Sequence, residues 1–486
     1  MKRIVHLDLK GAPLRVEYLE KVMVLMRTWG ADGILLEWED TFPYTGNLAD
    51  IGSVTNSGGD NMYSMDEVMQ ILQMARDCEM EAIQLIQTIG HMEFVLKHQA
   101  FRDLRENERS PSVLCPTKPQ SQALVREIID QVLEAQPDAK YLHIGADEVW
   151  YWALCPTCRE KAASHQYGNP SLYLDHVKDL VLYIKEKRPD IKVLMWDDMM
   201  RTMDPEMLKE YALGELVEPV FWHYNPSDSF NIKKELWDTY ARLFPKLWGG
   251  SAFKGANGSS QILSPVTRYI TNQEAWANQF KDYADRIKFQ GIILTGWSRY
   301  DHYATLCELF PVSLPCLANC LRILCLAHGL PARYARFITK RLFRKKPVSV
   351  LTYYFDPAKI LNEVLPPEEW PGEELARCVH TFIFIRERCL SLLNSDLINT
   401  WLNPWQISHK YTIPVHVEGI AVATQQILTE LSVLKTELSD RLIQITGERS
   451  RDEWLETHVE PLIAKLTRVY EVSRERSVSD ASVKPT

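Results

Sequence analysis

Two adjacent carboxylic acids, Asp147 and Glu148, stand where an apolar run gives way to an aromatic one. Residues 141–144 form the apolar run, a Gly-Ala step follows, and Trp150 comes just after the acids. Neighbouring side chains of a strand point to opposite faces, so the two acids can share a target only beyond the strand end. Close carboxyls cannot ionise independently, and the one whose pKa rises becomes a proton donor. The pattern predicts an acid–base pair, with an acidic helix cap as the alternative.

The composition is that of an ordinary globular protein that can bury a large core. The chain has 486 residues, of which 46% are hydrophobic and 24% are charged. Its formal net charge of -9 argues against a nucleic-acid partner, which basic patches would attract. The 14 Trp and 20 Tyr residues are high counts, and aromatic binding platforms are one use for them.

The N-terminal residues and the cysteines indicate a compartment. Polar His6 and Asp8 interrupt the first apolar run, so we expect no secretory signal. The apolar stretch at residues 306–330 contains Glu308 and Arg322, and we expect no membrane span there. The ten cysteines then read as reduced thiols. We expect a cytoplasmic protein, with the nucleus as a second compartment, and leave a homodimer open.

Short apolar runs alternate with helix-spaced patterns from the first residues onward. This alternation predicts parallel strands with helical crossovers, and eight such units predict a (β/α)8 TIM barrel over residues 1–335. An open doubly wound sheet is the competing fold, but no Gly-x-Gly-x-x-Gly follows any of the strands. The predicted strands are residues 4–9, 34–36, 82–86, 141–144, 193–196, 220–222, 246–248 and 292–295.

Helical spacing also fills the intervals between the strands and the whole of the C-terminal part. Beyond the barrel we predict a helical accessory region at residues 336–475 and a disordered tail at residues 476–486. The predicted barrel helices are residues 14–29, 65–78, 122–134, 172–187, 205–213, 232–243 and 274–288. The clearest C-terminal ones are residues 375–393, 417–434 and 454–470.

Tryptophans end four consecutive predicted strands, on the face where barrels of this kind bind ligands. One such Trp is usually core packing, whereas four together favour a binding surface. Indole faces cover the C–H surfaces of a sugar, and carboxylates accept from its hydroxyls. We therefore expect a glycan or glycoconjugate substrate. The four residues are Trp196, Trp222, Trp248 and Trp297.

The motif at residues 143–148, His-Ile-Gly-Ala-Asp-Glu, resembles that of the β-N-acetylhexosaminidases of glycoside hydrolase family 20. Gly90-His91 upstream, and Trp196-Asp197 and Trp297 downstream, extend the resemblance over most of residues 1–330. It implies an exo-glycosidase that removes terminal, non-reducing β-linked N-acetylgalactosamine or N-acetylglucosamine. The implied mechanism is retaining and substrate-assisted, through an oxazolinium intermediate, with neither a cofactor nor a metal.

The resemblance also implies roles for individual residues. Glu148 would be the general acid and base, and Asp147 would accept from the acetamide N–H and stabilise the positive intermediate. His91 would belong to the carboxylate network, and Tyr224 would donate to the acetamide oxygen. The acetamide pocket and the sugar floor would be formed by Trp196, Trp222 and Trp297.

The sequence departs from the common family pattern at the first strand. Many members place a sugar-binding Arg after strand one, where this chain has Asp8 and Lys10. A changed set of hydroxyl contacts would alter the choice between gluco and galacto sugars, and the sequence leaves that choice open. The remaining predicted substrate-binding residues are Asp8, Asp197, Trp248, Arg299 and Asp301.

Two other functions fit the same residues. One is a catalytically weak or inactive barrel protein that keeps the aromatic site and binds sugar. The other is an ordinary two-carboxylate glycosidase with Glu39 or Asp301 as its nucleophile, which would accept sugars without a 2-acetamido group.

A Cys-x-x-Cys pair, Cys155 and Cys158, follows the two acids. A zinc site usually needs four ligands, no second Cys-x-x-Cys exists, and the nearest extra candidate is His165. We therefore predict no metal at this pair. Asp197 and Asp198 resemble a Mg²⁺ site, but we expect them to support the acetamide pocket.

Overall fold

The computed structural model describes residues 1–52, 61–327 and 370–478. These residues form two compact units, which divide between Pro371 and Gly372. The predicted domain boundary at residue 335 lies outside the described residues, as do residues 479–486 of the predicted tail. The first two residues of that tail belong to a helix that ends at Ser477.

The first unit is built on a closed barrel of eight parallel strands, as predicted. Going round the barrel, the strands follow the order β1, β10, β9, β8, β7, β6, β3, β2, while β4 and β5 form a separate antiparallel hairpin. The strands of the described part are β1 (Lys2–Asp8), β2 (Gly33–Glu37), β3 (Glu81–Leu85), β4 (Arg105–Asn107), β5 (Ser110–Leu114), β6 (Tyr141–His143), β7 (Lys192–Trp196), β8 (Val217–Trp222), β9 (Leu247–Lys254) and β10 (Phe289–Gly296).

Helices connect the strands of the barrel and cover its outer face. The predicted helix at residues 274–288 lies too late in the sequence, since the structure has it at Val266–Asp282. The described helices are α1 (Val16–Trp29), α2 (Met65–Asp77), α3 (Glu93–Leu96), α4 (Pro119–Ala135), α5 (Pro156–Ser164), α6 (Asn169–Lys187), α7 (Pro205–Tyr211), α8 (Leu213–Leu216), α9 (Lys234–Leu243), α10 (Val266–Asp282) and α11 (Phe310–Ala327).

The inside of the barrel is packed rather than open. Inward-facing aliphatic side chains of β1, β2, β3, β7 and β10 meet in one buried cluster, which includes Ile4, Leu35, Ile83, Leu194 and Ile293. Such layers fill the interior of a (β/α)8 barrel, so a ligand has room only at the strand ends and their loops.

Helix α11 is long and apolar enough to cross a membrane, by length and composition alone, with a mean hydropathy of 1.6. Buried positions make up 67% of it, and it packs against α1, α10 and β9 of the barrel. This burial is the pattern of a core helix. Its apolar composition is thereby accounted for within the fold.

The second unit is helical throughout its described residues. Its long helix α15 packs against α12 and α17, with Val417, Leu431 and Leu438 in the interior. The predicted helix at residues 454–470 is two helices that meet at Val459, and Pro461 lies in the first turn of the second one, where its missing N–H costs no helical hydrogen bond. The helices are α12 (Glu373–Leu393), α13 (Asp396–Trp401), α14 (Pro404–Ser408), α15 (Pro414–Leu442), α16 (Glu448–His458) and α17 (Glu460–Ser477).

Candidate active site

A cavity of about 230 Å³ lies at the carboxyl ends of the barrel strands. Small-molecule sites commonly measure ~300–1,000 Å³, so this cavity suits a single sugar ring. Its walls combine indoles with carboxylates and cations. The side chains are Lys10, Glu37, Gln87, His91, Asp147, Glu148, Trp196, Trp222, Tyr224, Trp297, Arg299 and Tyr300, joined by Gly255 and Ala256.

The chain bends sharply after β6 to bring both acids into this cavity. Ala146 and Glu148 have φ angles of 67° and 48°, in the left-handed region that non-glycine residues rarely adopt. Gly145 has a φ of 61°, and a Cβ there would come within 2.0 Å of Gln87 Oε1. Backbone strain of this kind costs ~1–3 kcal/mol per residue and concentrates at functional sites. It frees Asp147 and Glu148 from the alternation of the strand.

The loop after β3 approaches the acids closely, and a glycine makes this possible. A Cβ on Gly90 would lie 2.1 Å from the carbonyl oxygen of Asp147, which is a severe clash. The next residue, His91, has a φ of 50°. The Gly-His pair therefore delivers an imidazole directly to the two carboxylates.

His91 lies between the two acids. Its Nε2 is 3.2 Å from Glu148 Oε2 and 3.6 Å from Asp147 Oδ2. Burial lowers the pKa of His91, but the charge of Asp147 and the hydrogen bond to Glu148 outweigh it and raise the pKa to about 10. The imidazole is therefore a cation at neutral pH and holds both carboxylates in place.

Asp147 is the deeper of the two acids. Its side chain is 9% exposed, against 37% for Glu148, and its Oδ1 accepts from Gln87 Nε2 at 3.1 Å. Burial raises the pKa of Asp147 to about 7; His91 opposes this, while Asp198 adds to it. The carboxyl with a raised pKa is thus the residue that the resemblance makes the acetamide partner.

Asp197 and Asp198 support the site from behind. Asp198 accepts from the Glu148 backbone N–H at 3.0 Å and from Trp222 Nε1 at 3.1 Å, which links the acid to the aromatic wall. Asp197 is fully buried, accepts two bonds from Arg201 and one from the Trp222 backbone N–H, and does not line the cavity. Both aspartates position other residues.

Aromatic rings form two walls. Trp196 and Trp297 meet at a centroid distance of 5.9 Å, and Trp222 stacks on Tyr224 at 5.1 Å. Burial raises the pKa of Tyr224 far above its usual value, although hydrogen bonds with Thr295 and Trp297 lower it. The Tyr224 hydroxyl therefore keeps its proton and can donate a hydrogen bond.

A buried charge cluster closes the side of the cavity formed by β1 and β2. Lys10 Nζ is 3.0 Å from Asp8, 3.7 Å from Glu37 and 3.9 Å from Glu39. Burial lowers the pKa of Lys10, but the three neighbouring acids raise it by more. The pKa therefore lies above its usual value, and the side chain stays an ammonium ion. Glu37 also pairs with His6 at 2.8 Å. Asp8 does not line the cavity; it holds Lys10 there.

The charged side chains Arg299 and Asp301, in the loop after β10, form hydrogen bonds with the protein backbone. Arg299 donates to the carbonyls of Lys10 at 3.1 Å and Ala304 at 3.0 Å, and so ties this loop to the end of β1. Asp301 accepts from the backbone N–H groups of Tyr303 and Ala304, which caps its own turn, and it does not line the cavity.

Comparison with known proteins identifies the family. The profile of glycosyl hydrolase family 20, catalytic domain, matches residues 37–225. Hexosaminidase D of Homo sapiens is 38% identical over 467 residues, which are 96% of this chain and 92% of that protein. The chain belongs to glycosyl hydrolase family 20. The predicted family and enzyme class, a β-N-acetylhexosaminidase glycoside hydrolase, are confirmed.

A second relative agrees with the family 20 assignment, and a solved structure shares the fold. Hexosaminidase D of Bos taurus is 42% identical over 340 residues, which are 69% of this chain and 96% of that protein. Among solved structures, the chitobiase of Flavobacterium johnsoniae shares the fold, with a TM-score of 0.52 at 12% identity, covering 98% of this chain and 71% of that one.

Most of the predicted residues of this family 20 site lie together at the cavity, and four do not. Trp248 is the clearest correction: it is fully buried in the barrel core, where its Nε1 donates to Glu218 Oε2 at 2.8 Å. Strand β9 continues six residues past Trp248, to Lys254, so this Trp lies at the opposite end of the barrel. The others away from the cavity lining are Asp8, Asp197 and Asp301.

Six cavity residues were not among the predicted binding residues, namely Lys10, Glu37, Gln87, Gly255, Ala256 and Tyr300. Glu37 and Gln87 lie at or just beyond the ends of β2 and β3, where barrels place functional groups. Their position at a strand end is the one feature of the sequence that could have predicted them. Neither belongs to a local motif.

Proposed function

We propose that the protein removes a terminal, non-reducing β-linked N-acetylhexosamine from a glycan or glycoconjugate, with retention of configuration and with the acetamide group as the nucleophile. The observation that carries the proposal is the different depth of the two acids that share His91. Asp147 faces the bottom of a cavity sized for one sugar, and Glu148 lies at its more exposed edge.

In the first step the acetamide oxygen attacks the anomeric carbon, and the bond to the leaving oxygen breaks. Glu148 donates its proton to that oxygen. Asp147, as a carboxylate, accepts from the acetamide N–H and stabilises the positive charge of the oxazolinium ring. Tyr224 donates to the acetamide oxygen and aligns it. Intramolecular attack gains from proximity, so no enzyme nucleophile is needed.

In the second step water attacks the anomeric carbon from the side that the leaving group vacated. The Glu148 carboxylate removes a proton from this water, and the ring opens to regenerate the acetamide. Two inversions at one carbon give net retention. Glu148 ends the cycle protonated, as it began.

Lys10 and Glu37 bind the ring hydroxyls in this proposal. Both line the cavity, and at a mutual distance of 3.7 Å the two groups can contact one hydroxyl that lies beside the pair. An ammonium donates and a carboxylate accepts, which matches the two roles of a hydroxyl.

An ordinary two-carboxylate mechanism has less support. Its nucleophile candidates, Glu39 and Asp301, do not line the cavity. Glu39 pairs with His302 and Lys10, and Asp301 caps its own turn.

The test compares nitrophenyl N-acetyl-β-hexosaminides with two analogues. A 2-hydroxy sugar lacks the nucleophile, and its kcat/KM should fall by more than the ~10–200-fold that a lost pocket contact explains. A trifluoroacetamide keeps the N–H and the shape of the group, although CF3 is larger than CH3, and it weakens the oxygen as a nucleophile, so its kcat should also fall. Equal cleavage of all three sugars would reject the proposal. If none is cleaved but the N-acetyl sugars bind, the protein is a sugar-binding protein without turnover.

A further inference from the structure

Three cysteines and one glutamate converge in the first unit, outside the cavity. The potential ligand atoms of Glu106, Cys115, Cys155 and Cys158 all lie within 4.8 Å of one another. Cys115 Sγ is 3.6 Å from Cys155 Sγ and 3.5 Å from Cys158 Sγ, and Cys158 Sγ is 3.1 Å from Glu106 Oε2.

These separations are close to the edges of a tetrahedron around a metal ion. Zinc binds thiolates at ~2.3 Å and carboxylate oxygens at ~2.0–2.2 Å, which places ligand atoms about 3.4–3.8 Å apart. The two sulfur–sulfur distances from Cys115 lie within this range, and the distance from Cys158 Sγ to Glu106 Oε2 lies a few tenths of an ångström below it. A small outward movement of Glu106 would complete the geometry.

The glutamate is oriented for this purpose. Its Oε1 accepts from the backbone N–H groups of Leu154 at 2.6 Å and Cys155 at 2.9 Å, which leaves Oε2 directed at the thiols. Such support of a ligating carboxylate by further hydrogen bonds is a general feature of metal sites. Glu106 is 3% exposed, so its charge is not simply solvated.

One of the thiols lies at a helix N-terminus. Cys155 caps the N-terminus of α5, and its Sγ accepts from the Cys158 backbone N–H at 3.3 Å. Backbone N–H groups at a helix N-terminus stabilise a negatively charged sulfur, which is the form that binds a metal.

We propose that Glu106, Cys115, Cys155 and Cys158 bind one structural Zn²⁺. Four protein ligands close the coordination shell, which distinguishes a structural site from a catalytic one with an open position. Binding releases the protons of the thiols that are still protonated. The backbone N–H donors and the N-terminus of α5 offset the remaining negative charge.

The zinc ion would connect the loop that carries the two acids to the β4–β5 hairpin. Glu106 lies on β4 and Cys115 directly follows β5, whereas Cys155 lies in the loop that begins with Asp147 and Glu148. The zinc therefore joins the hairpin to the segment that carries the acids. The sequence contains no second Cys-x-x-Cys, but the hairpin supplies the other two ligands from separate positions.

The first experiment measures zinc in the purified full-length protein by elemental analysis. We expect one zinc per chain in the wild type and none in Cys155→Ser. The matched control is Cys78→Ser, another half-buried cysteine that lies away from the cluster, and it should keep the metal. A wild type without zinc after growth in zinc-supplemented medium, or equal zinc in both variants, would overturn the proposal.

A second measurement does not depend on how well the variants fold. Wild-type protein stripped with a chelator is titrated with Co²⁺, and we expect thiolate charge-transfer bands and the visible bands of a tetrahedral ion. Zinc should abolish these bands and protect three thiols from a thiol reagent. A mass lower by two hydrogens, from a disulfide among the three cysteines, or the absence of any cobalt spectrum, would contradict the site.

Discussion

The two ends of the barrel use the same kinds of residues in different ways. At the amino ends of the strands, Trp248 donates to Glu218 at 2.8 Å, and Glu218 pairs with Lys246 at 3.2 Å. At the carboxyl ends, the described structure leaves Trp196 Nε1 and Gln87 Oε1 buried without a hydrogen-bond partner. Buried polar groups are normally satisfied, so those of the second end are available to a ligand.

Strained backbone occurs at both ends, since Glu79, just before β3, has a φ of 53°, but it gathers around the cavity, where His91, Ala146 and Glu148 all have positive φ angles. Around the cavity, strained backbone and unpaired polar groups therefore lie together. An indole or a carboxylate is therefore informative only together with its partners, which explains why four strand-end tryptophans did not make four binding residues.

The largest expected effect distinguishes Glu148, at the carboxyl ends of the strands, from Glu218, at their amino ends. Glu148→Gln keeps the shape of the side chain but removes the transferable proton, so kcat/KM for a substrate with a poor leaving group should fall ~10²–10⁴-fold. The matched control is Glu218→Gln, whose amide oxygen can still accept from Trp248. We expect it to leave kcat/KM unchanged, as measured by steady-state hydrolysis. Equal losses in both variants would remove the distinction between the ends.

The pH dependence of kcat/KM should follow the protonation of Asp147. Its pKa in the free enzyme is raised to about 7, and only the carboxylate can stabilise the positive intermediate. Below pH 7, kcat/KM should therefore fall by about tenfold per unit as Asp147 takes up a proton. The limb in kcat should lie at lower pH, because a bound acetamide N–H favours the carboxylate.

A control isolates this titration from that of the acid. Glu148→Gln, assayed with an activated leaving group that needs no proton, should keep the acidic limb of kcat/KM near pH 7. If the limb disappears in this variant, the titrating group is not Asp147.

The smallest effect compares two tryptophans. Trp297→Phe removes part of the cavity wall and should lower kcat/KM by about tenfold, or ~1–2 kcal/mol, with little change in thermal stability. Trp248→Phe leaves Glu218 Oε2 without its indole donor, so it should lower the free energy of unfolding by ~1–3 kcal/mol and keep kcat/KM. Denaturant unfolding and steady-state kinetics measure both quantities. The reverse assignment of the two losses would contradict the comparison.

The sequence predicts the barrel well because each strand is a local apolar run, and the eight runs alternate with helical patterns along the chain. It predicts the acids well because Asp147 and Glu148 form a local motif. It fails where a position depends on the length of a strand. The predicted strand at residues 246–248 ends at Trp248, but the observed strand continues to Lys254 and leaves this Trp at the other end of the barrel.

Long-range partners were equally hidden from the sequence. Gln87 reaches Asp147 across 60 residues, and Glu106 meets Cys158 across 52. No local spacing encodes either contact, because each depends on how two separate loops meet above the barrel. Only the closed order of the strands brings them together.

The most direct test of the account measures the affinity of a thiazoline analogue of the oxazolinium ring by competitive inhibition. The analogue should bind the wild type far more tightly than the free sugar does, because it resembles the reaction intermediate. In Asp147→Asn a neutral amide replaces the carboxylate, and we predict a loss of affinity of about 10–100-fold. Binding of the thiazoline no tighter than the free sugar, or equal binding to wild type and Asp147→Asn, would contradict acetamide participation supported by Asp147.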